Sequence, residues 1–181
     1  MSESFAQHYH QQTKYDPATI SSKSHSLDWS KQPSSRKEYP FGTVYDLKQY
    51  LKSTKQDADN DWWQRLSLFL LCSYGLTARI QTMGDPMFLR AAPSAGGLYP
   101  AEIYLVSRGT KLLPAGLYNY QVKDHTLIHF WSSDIWQNIQ VACFMHPALM
   151  VADLTLITTA VFQRSAWRYQ DRAYRRPIKK L

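Results

Sequence analysis

The sequence predicts one globular domain built from both helices and strands, and three observations carry that expectation. Segment 62–74 places apolar residues at helical spacing between an aspartate and a glycine. Segments 116–122 and 126–130 read as strands, and Lys123-Asp124-His125 between them reads as the tight connection of a hairpin. Segment 149–159 is an apolar run rich in β-branched residues. With 181 residues, 44% hydrophobic and 14% aromatic, the chain can bury a real core.

The elements follow in chain order. Residues 1–40 read as an irregular polar arm, with Asp16-Pro17 as a turn or helix start and a polar stretch from Ser21 to Ser26. The Leu27-Asp28-Trp29 anchor and the aromatic content are too apolar for a disordered tail, so the arm is expected to wrap over the core or over a partner subunit. His8, His10 and His25 have no acid or cysteine at ligand spacing and read as surface residues, so no metal is expected. The N-terminus lacks the charged start and apolar stretch of a signal peptide.

Segment 44–54 is expected to form a short helix with Leu47, Tyr50 and Leu51 on one face. Asp61 is expected to cap the 62–74 helix and Gly75 to end it. Two apolar faces on that helix predict that it is buried. Segment 76–89 reads as a loop turning at Gly84-Asp85-Pro86, 102–107 as a strand and 109–114 as a turn. Segment 135–144 reads as a helix capped by Ser132, Ser133 or Asp134 and ended before Pro147. The 149–159 run is expected to be a central strand buried on both faces, followed by a helix over 160–174.

The net charge of +7 is unevenly placed. Residues 1–60 are near neutral, 61–163 balance, and 164–181 hold seven basic residues against Asp171 alone. A basic tail can mark a nucleic-acid or membrane contact, but no nucleic-acid motif accompanies it. The apolar runs fall short of the ~20 residues of a membrane span. Cys72 and Cys143 lie in apolar runs and read as two buried thiols rather than a disulfide. The expectation is a cytoplasmic protein with neither a nucleic-acid nor a membrane partner.

Two constellations carry chemistry. The first is Arg90-Ala91-Ala92-Pro93-Ser94-Ala95-Gly96-Gly97-Leu98-Tyr99-Pro100. Two glycines that tolerate positive φ stand between two prolines, with a guanidinium and a hydroxyl beside them. The stretch reads either as an ordinary turn or as a cradle of donors for a phosphate or a flat heteroaromatic edge. The second is Arg164, Arg168, Arg172 and Arg176, one positive stripe if the helix is continuous. Either the helix breaks, or an anion lies nearby, or the stripe is solvated. Within it, Trp167-Arg168-Tyr169 sets a phenol beside a guanidinium, a candidate acid/base pair.

Taken in order, Arg90 to Glu102, Pro114-Ala115-Gly116-Leu117-Tyr118-Asn119-Tyr120, and Arg164-Ser165-Ala166-Trp167-Arg168-Tyr169-Gln170-Asp171-Arg172-Ala173-Tyr174-Arg175 resemble the nitroreductase superfamily. They are most similar to its SagB-type branch, which includes azoline dehydrogenases of thiazole/oxazole-modified peptide biosynthesis. The arm from Tyr9 to Pro40 also looks like the leader of that branch. The resemblance implies an α+β fold with a mixed or antiparallel sheet flanked by helices. It implies FMN at a homodimer interface and ping-pong hydride transfer, with NAD(P)H as an electron donor and a small molecule or modified peptide as substrate. Carried over by position, Arg90, Ser94, Ala95, Gly96 and Arg172 bind the flavin, and Arg168 and Tyr169 are catalytic. Peptide-oxidising relatives have lysine where Arg168 stands. A guanidinium keeps its proton, which leaves Tyr169 as the better acid/base candidate.

Relatives continue past the Arg175 position with a long helix and strands that complete the flavin pocket and the dimer. Here the chain reads Arg176-Pro177-Ile178-Lys179-Lys180-Leu181, and Pro177 cannot extend a helix. The expected organisation is an arm (1–40), an incomplete nitroreductase-like domain (41–176) and a short basic tail (177–181). The alternative expectation is a truncated, non-catalytic remnant, or a dimerising half-domain without flavin.

Overall fold

The computed structural model describes residues 4–14, 16–18, 26–83 and 86–175. Seven strands occur among them: Thr43–Asp46 (β1), Leu76–Ile80 (β2), Met87–Arg90 (β3), Ala101–Ser107 (β4), Gly116–Gln121 (β5), Thr126–Trp131 (β6) and Leu154–Ala160 (β7). Five of them form one sheet in the order β1-β6-β5-β4-β7, and β2 pairs only with β3. Every pairing is antiparallel. The helices are Phe5–Thr13 (α1), Lys48–Leu51 (α2), Ala58–Tyr74 (α3), Trp136–Ala142 (α4), Pro147–Val151 (α5) and Phe162–Tyr169 (α6). The architecture is α+β, as the sequence predicts.

One face of the sheet meets α3. Ile103 and Leu105 of β4, Tyr118 and Tyr120 of β5, and Leu127 of β6 pack with Trp63, Leu70 and Leu47 in one buried cluster. A polar network runs through its edge. The Ser67 hydroxyl donates to the Leu47 carbonyl at 3.0 Å. It therefore accepts from His125 Nε2 at 2.8 Å, leaving His125 Nδ1 to accept from the Tyr120 hydroxyl at 2.7 Å. These bonds hold His125 in the left-handed region at φ 51°, in the turn between β5 and β6.

The opposite face carries Glu102, Tyr104, Asn119 and Gln121, all buried. Its cover is the arm. Tyr39 stacks on Phe130 of β6 at 4.3 Å, and its hydroxyl lies 2.9 Å from that of Tyr104. Burial and that hydroxyl raise the Tyr39 pKa to about 12, so it stays a neutral phenol.

Several expectations are corrected. The arm is not irregular throughout: α1 forms because Ser4 and Gln7 make a reciprocal capping box. Residues 43–46 pair with β6 instead of starting a helix, so pairing outweighs the local helical spacing and only α2 remains helical. Helix α3 begins earlier, because Asp57 accepts from the Asn60 N–H at 2.8 Å, while Asp61 lies inside it and pairs with Arg65 at 2.8 Å. It is buried on one face only, with Leu68 43% and Phe69 52% exposed. Cys72 and Cys143 are both free, as expected, but exposed.

Segment 76–89 is mainly the β2–β3 hairpin rather than a loop; Gly84 and Asp85 of the expected turn lie outside the described residues. The 149–159 run splits between α5 and β7, and β7 is an edge strand paired to β4 alone. Its composition signals a strand but cannot reveal how many neighbours that strand has. The expected 160–174 helix stops at Tyr169, because Gln170 takes φ 45° and a 3-10 turn follows through Arg175. The arm's 21–25 stretch, His25, Arg176 and the 177–181 tail lie outside the described residues.

Candidate functional site

The loop 94–100 and helix α6 are far apart in sequence and adjacent in space, and the sheet register explains why. Ala101 at the start of β4 pairs with Ala160 at the end of β7. The chain therefore leaves the loop at the point where it enters α6, and the Val161 N–H donates to the Pro100 carbonyl at 2.8 Å. Helix α6 then brings its last two residues against the loop's turn. A Cβ placed on Gly96 would lie 3.0 Å from Tyr169 Oη and 3.2 Å from Arg168 Cδ and Nε. Gly96 has φ 65°, a backbone angle that favours glycine, and the close approach of the two side chains leaves little room for a Cβ. Among the described residues Gly97, at φ 66°, has only Met87 Sδ near its Cβ direction, at 4.0 Å.

The predicted residues fall as follows. Gly96, Arg168 and Tyr169 come together, with both side chains half-buried. Ser94 N-caps the short 3-10 turn that Ala95 opens, and its Oγ accepts from the Tyr99 N–H at 2.8 Å. Arg90 ends β3, where its Nη2 donates to the Ser35 carbonyl at 2.8 Å and its guanidinium sits 4.7 Å from the Tyr99 ring centroid. Burial holds the Arg90 guanidinium below its usual value, opposed by the Glu102 carboxylate nearby and reinforced by Arg164. Together with Arg36, itself paired to Glu38 at 2.8 Å, and Lys123, Arg90 brings three cations to one shallow cleft. Arg172 lies on the 3-10 turn beyond the Gln170 break, half-buried.

Sequence reasoning missed three residues that build this region. Tyr99 sits at φ 44° and is fixed at every polar atom. Its N–H bonds Ser94, its hydroxyl accepts from the Arg90 N–H at 3.1 Å, and its carbonyl accepts from Arg164. Arg164 is not part of a solvated stripe. It is buried and ion-paired to Glu102 at 2.5 Å, both side chains 3% exposed. Of the three options for the stripe, the helix break is the one found. A signal for Glu102 was available: it is the only acid between Asp85 and Asp124.

No protein-family model matches the chain. A chain from the crystal structure of a nitroreductase candidate of Anabaena variabilis superposes with a TM-score of 0.90 at 63% identity, covering 97% of this chain. The fold is nitroreductase-like. A nitroreductase candidate of Methanocaldococcus jannaschii is similar to this nitroreductase-like chain at 28% identity over 112 residues, which is 62% of it. A chain of the E. coli microcin synthetase McbBCD complex, solved with truncated pro-MccB17 bound, shares the fold at a TM-score of 0.50 and 14% identity, over 94% of this chain and 66% of that one. The chain spans about half the length of the Methanocaldococcus relative (53%) and about a third of the Anabaena chain (35%). Among the described residues no helix is long and apolar enough to cross a membrane, and no cluster of three potential metal ligands occurs.

Proposed function

We propose that this chain forms one wall of an FMN site in an oxidoreductase of the nitroreductase type. The observation that carries the reading is the meeting of the Gly96 turn with Arg168 and Tyr169. The residues present fit the group. Among the described residues only Met87 Sδ lies near the Gly97 Cβ direction, and the Arg36, Arg90 and Lys123 cleft suits a phosphate. When bound, FMN would supply a two-electron hydride carrier. The chain's own residues do the rest: Gly96 and Gly97 let a flat ring approach the backbone, and Arg90 offers a charged donor. Ala95 and Ser94 shape the turn, Arg172 adds positive charge beyond α6, and the Tyr169 hydroxyl holds a proton beside the loop. Arg168 keeps its charge and orients rather than shuttles. In the wider reading the protein acts as a homodimer of the SagB-type branch in the cytoplasm, takes electrons from NAD(P)H and reduces a small molecule or acts on a modified peptide. In that reading neither nucleic acid nor a membrane is a partner.

Purified protein mixed with FMN and passed through a sizing column tests this. The expected result is retained oxidised-flavin absorbance that Arg90→Ala weakens by about tenfold in affinity, as loss of a charged donor implies. Colourless protein that leaves FMN fluorescence unquenched overturns the reading. Unchanged affinity in Arg90→Ala overturns the phosphate assignment. A second reading, a dimerising half-domain without flavin, draws on the engagement of Ser94 and Arg90 by Tyr99 and Ser35 within the chain. A dimer that takes up no FMN would support it.

A further inference from the structure

Arg164 engages three separate segments at once. Its Nη2 pairs with Glu102 at 2.5 Å, its Nη1 donates to the Tyr99 carbonyl at 2.8 Å, and its Nε donates to the Ser34 carbonyl at 2.6 Å. The same Glu102 oxygen accepts from the Lys37 N–H at 2.8 Å. One guanidinium thus joins α6, the end of the glycine loop, the first turn of β4 and the arm. Both ions are withdrawn from water, so each depends on its partner.

The placement gives this joint a role beyond stability. Arg164 lies one helical turn before Arg168 on α6, and Tyr99 lies three residues after Gly96. The bond from Arg164 to the Tyr99 carbonyl therefore ties the helix carrying Arg168 and Tyr169 to the turn they touch. It also fixes the carbonyl of a residue held at φ 44°, a conformation the chain leaves readily when unsupported. Removing the bond frees the loop to relax away from α6, and the close approach of Arg168 and Tyr169 to Gly96 opens.

We propose that Arg164, through Glu102, is the positioning residue that sets the gap between the Gly96 turn and the Arg168–Tyr169 pair, and so shapes the wall offered to the flavin. The inference rests on the FMN reading above. Its planar fork is essential: three acceptors from three directions match a guanidinium and not an ammonium.

The test uses the full chain with FMN as the probe. Arg164→Lys, verified as folded by circular dichroism, is expected to bind FMN about tenfold more weakly, the worth of one charge-assisted hydrogen bond. Arg65→Gln, which removes the exposed Asp61–Arg65 pair on α3, is expected to bind within twofold of the parent. Hydrogen exchange gives a readout independent of flavin: Arg164→Lys should expose 94–100 and 162–169 while β5 and β6 stay protected. If Arg164→Lys does not fold, Glu102→Gln carries both measurements, since it keeps an acceptor and removes the charge. Parental FMN affinity, or unchanged exchange in the loop and α6, overturns the positioning role. A parent chain that binds no FMN but shows the local exchange change overturns the flavin reading, and with it the role toward flavin, while leaving the joint itself in place.

Discussion

The two faces of the central sheet are built on opposite principles. The α3 face is mainly hydrocarbon and aromatic: Leu70, Ile103, Leu105, Tyr118 and Leu127 pack without regard to charge. The arm face is polar although buried: Glu102 and Tyr104 find partners in the arm, Lys37 and Tyr39, while Asn119 and Gln121 bond each other and the Ile103 carbonyl within the sheet. Packing tolerates approximate neighbours, because apolar contact is non-directional. Hydrogen bonding and ion pairing do not, because an unpaired buried group keeps its full desolvation cost. The candidate site belongs to the second face, through Glu102 and Arg164.

Four changes would break or sharpen that contrast. The largest effect is expected on the polar face. Glu102→Leu strands the Arg164 charge and should cost about 3–5 kcal/mol in urea unfolding, whereas Glu102→Leu with Arg164→Met should cost less than the single change. A double variant as unstable as the single one would mean that the charges are not coupled. On the apolar face, Leu70→Ala should cost about 3 kcal/mol and leave no comparable rescue by a second site. Next comes Tyr39→Phe, which removes the hydroxyl contact with Tyr104 but keeps the stack on Phe130; a loss of about 1 kcal/mol is expected in the same assay.

The smallest effect is a slope with pH. Burial and Lys48 hold His125 below its ordinary 6.5, so the unfolded chain takes up the proton first. His125 therefore adds a stability that is full above pH 6.5 and is lost as pH falls from 6.5 toward the folded-state value. Urea midpoints between pH 7.5 and about 5 should decline, and His125→Asn should flatten that part of the curve. An equal decline in both proteins would place the titration elsewhere.

How much of this the sequence discloses follows the same division. The β5–β6 hairpin and the end of α3 at Gly75 are legible, because alternation and a helix stop are local signals. The start of α3 is not, since Asp57 and Asp61 are equally good caps by type and only the backbone shows which one accepts from an N–H. The apolar run before α6 reads as a central strand because hydrophobicity reports burial on average, while edge position is set by topology. Both constellations of the candidate site are visible in the sequence, as is the likeness of their motifs. The residue that joins them is not. Arg164 looks like Arg168 and Arg172 in a list of charges, and only the Gln170 break and the carboxylate 62 positions earlier distinguish it.

The pairing of Ala101 with Ala160 has a consequence for how the chain tolerates change in length. It works like a vernier: slipping β7 by one residue against β4 turns each of its side chains to the other face and swings the start of α6 with it. Arg164 would then be carried off Glu102, and Tyr169 off the glycine turn. Insertions in the 109–114 bend or around 132–134 leave that alignment alone. A single inserted or deleted residue within β4 or β7 should disable the joint even where every named side chain survives.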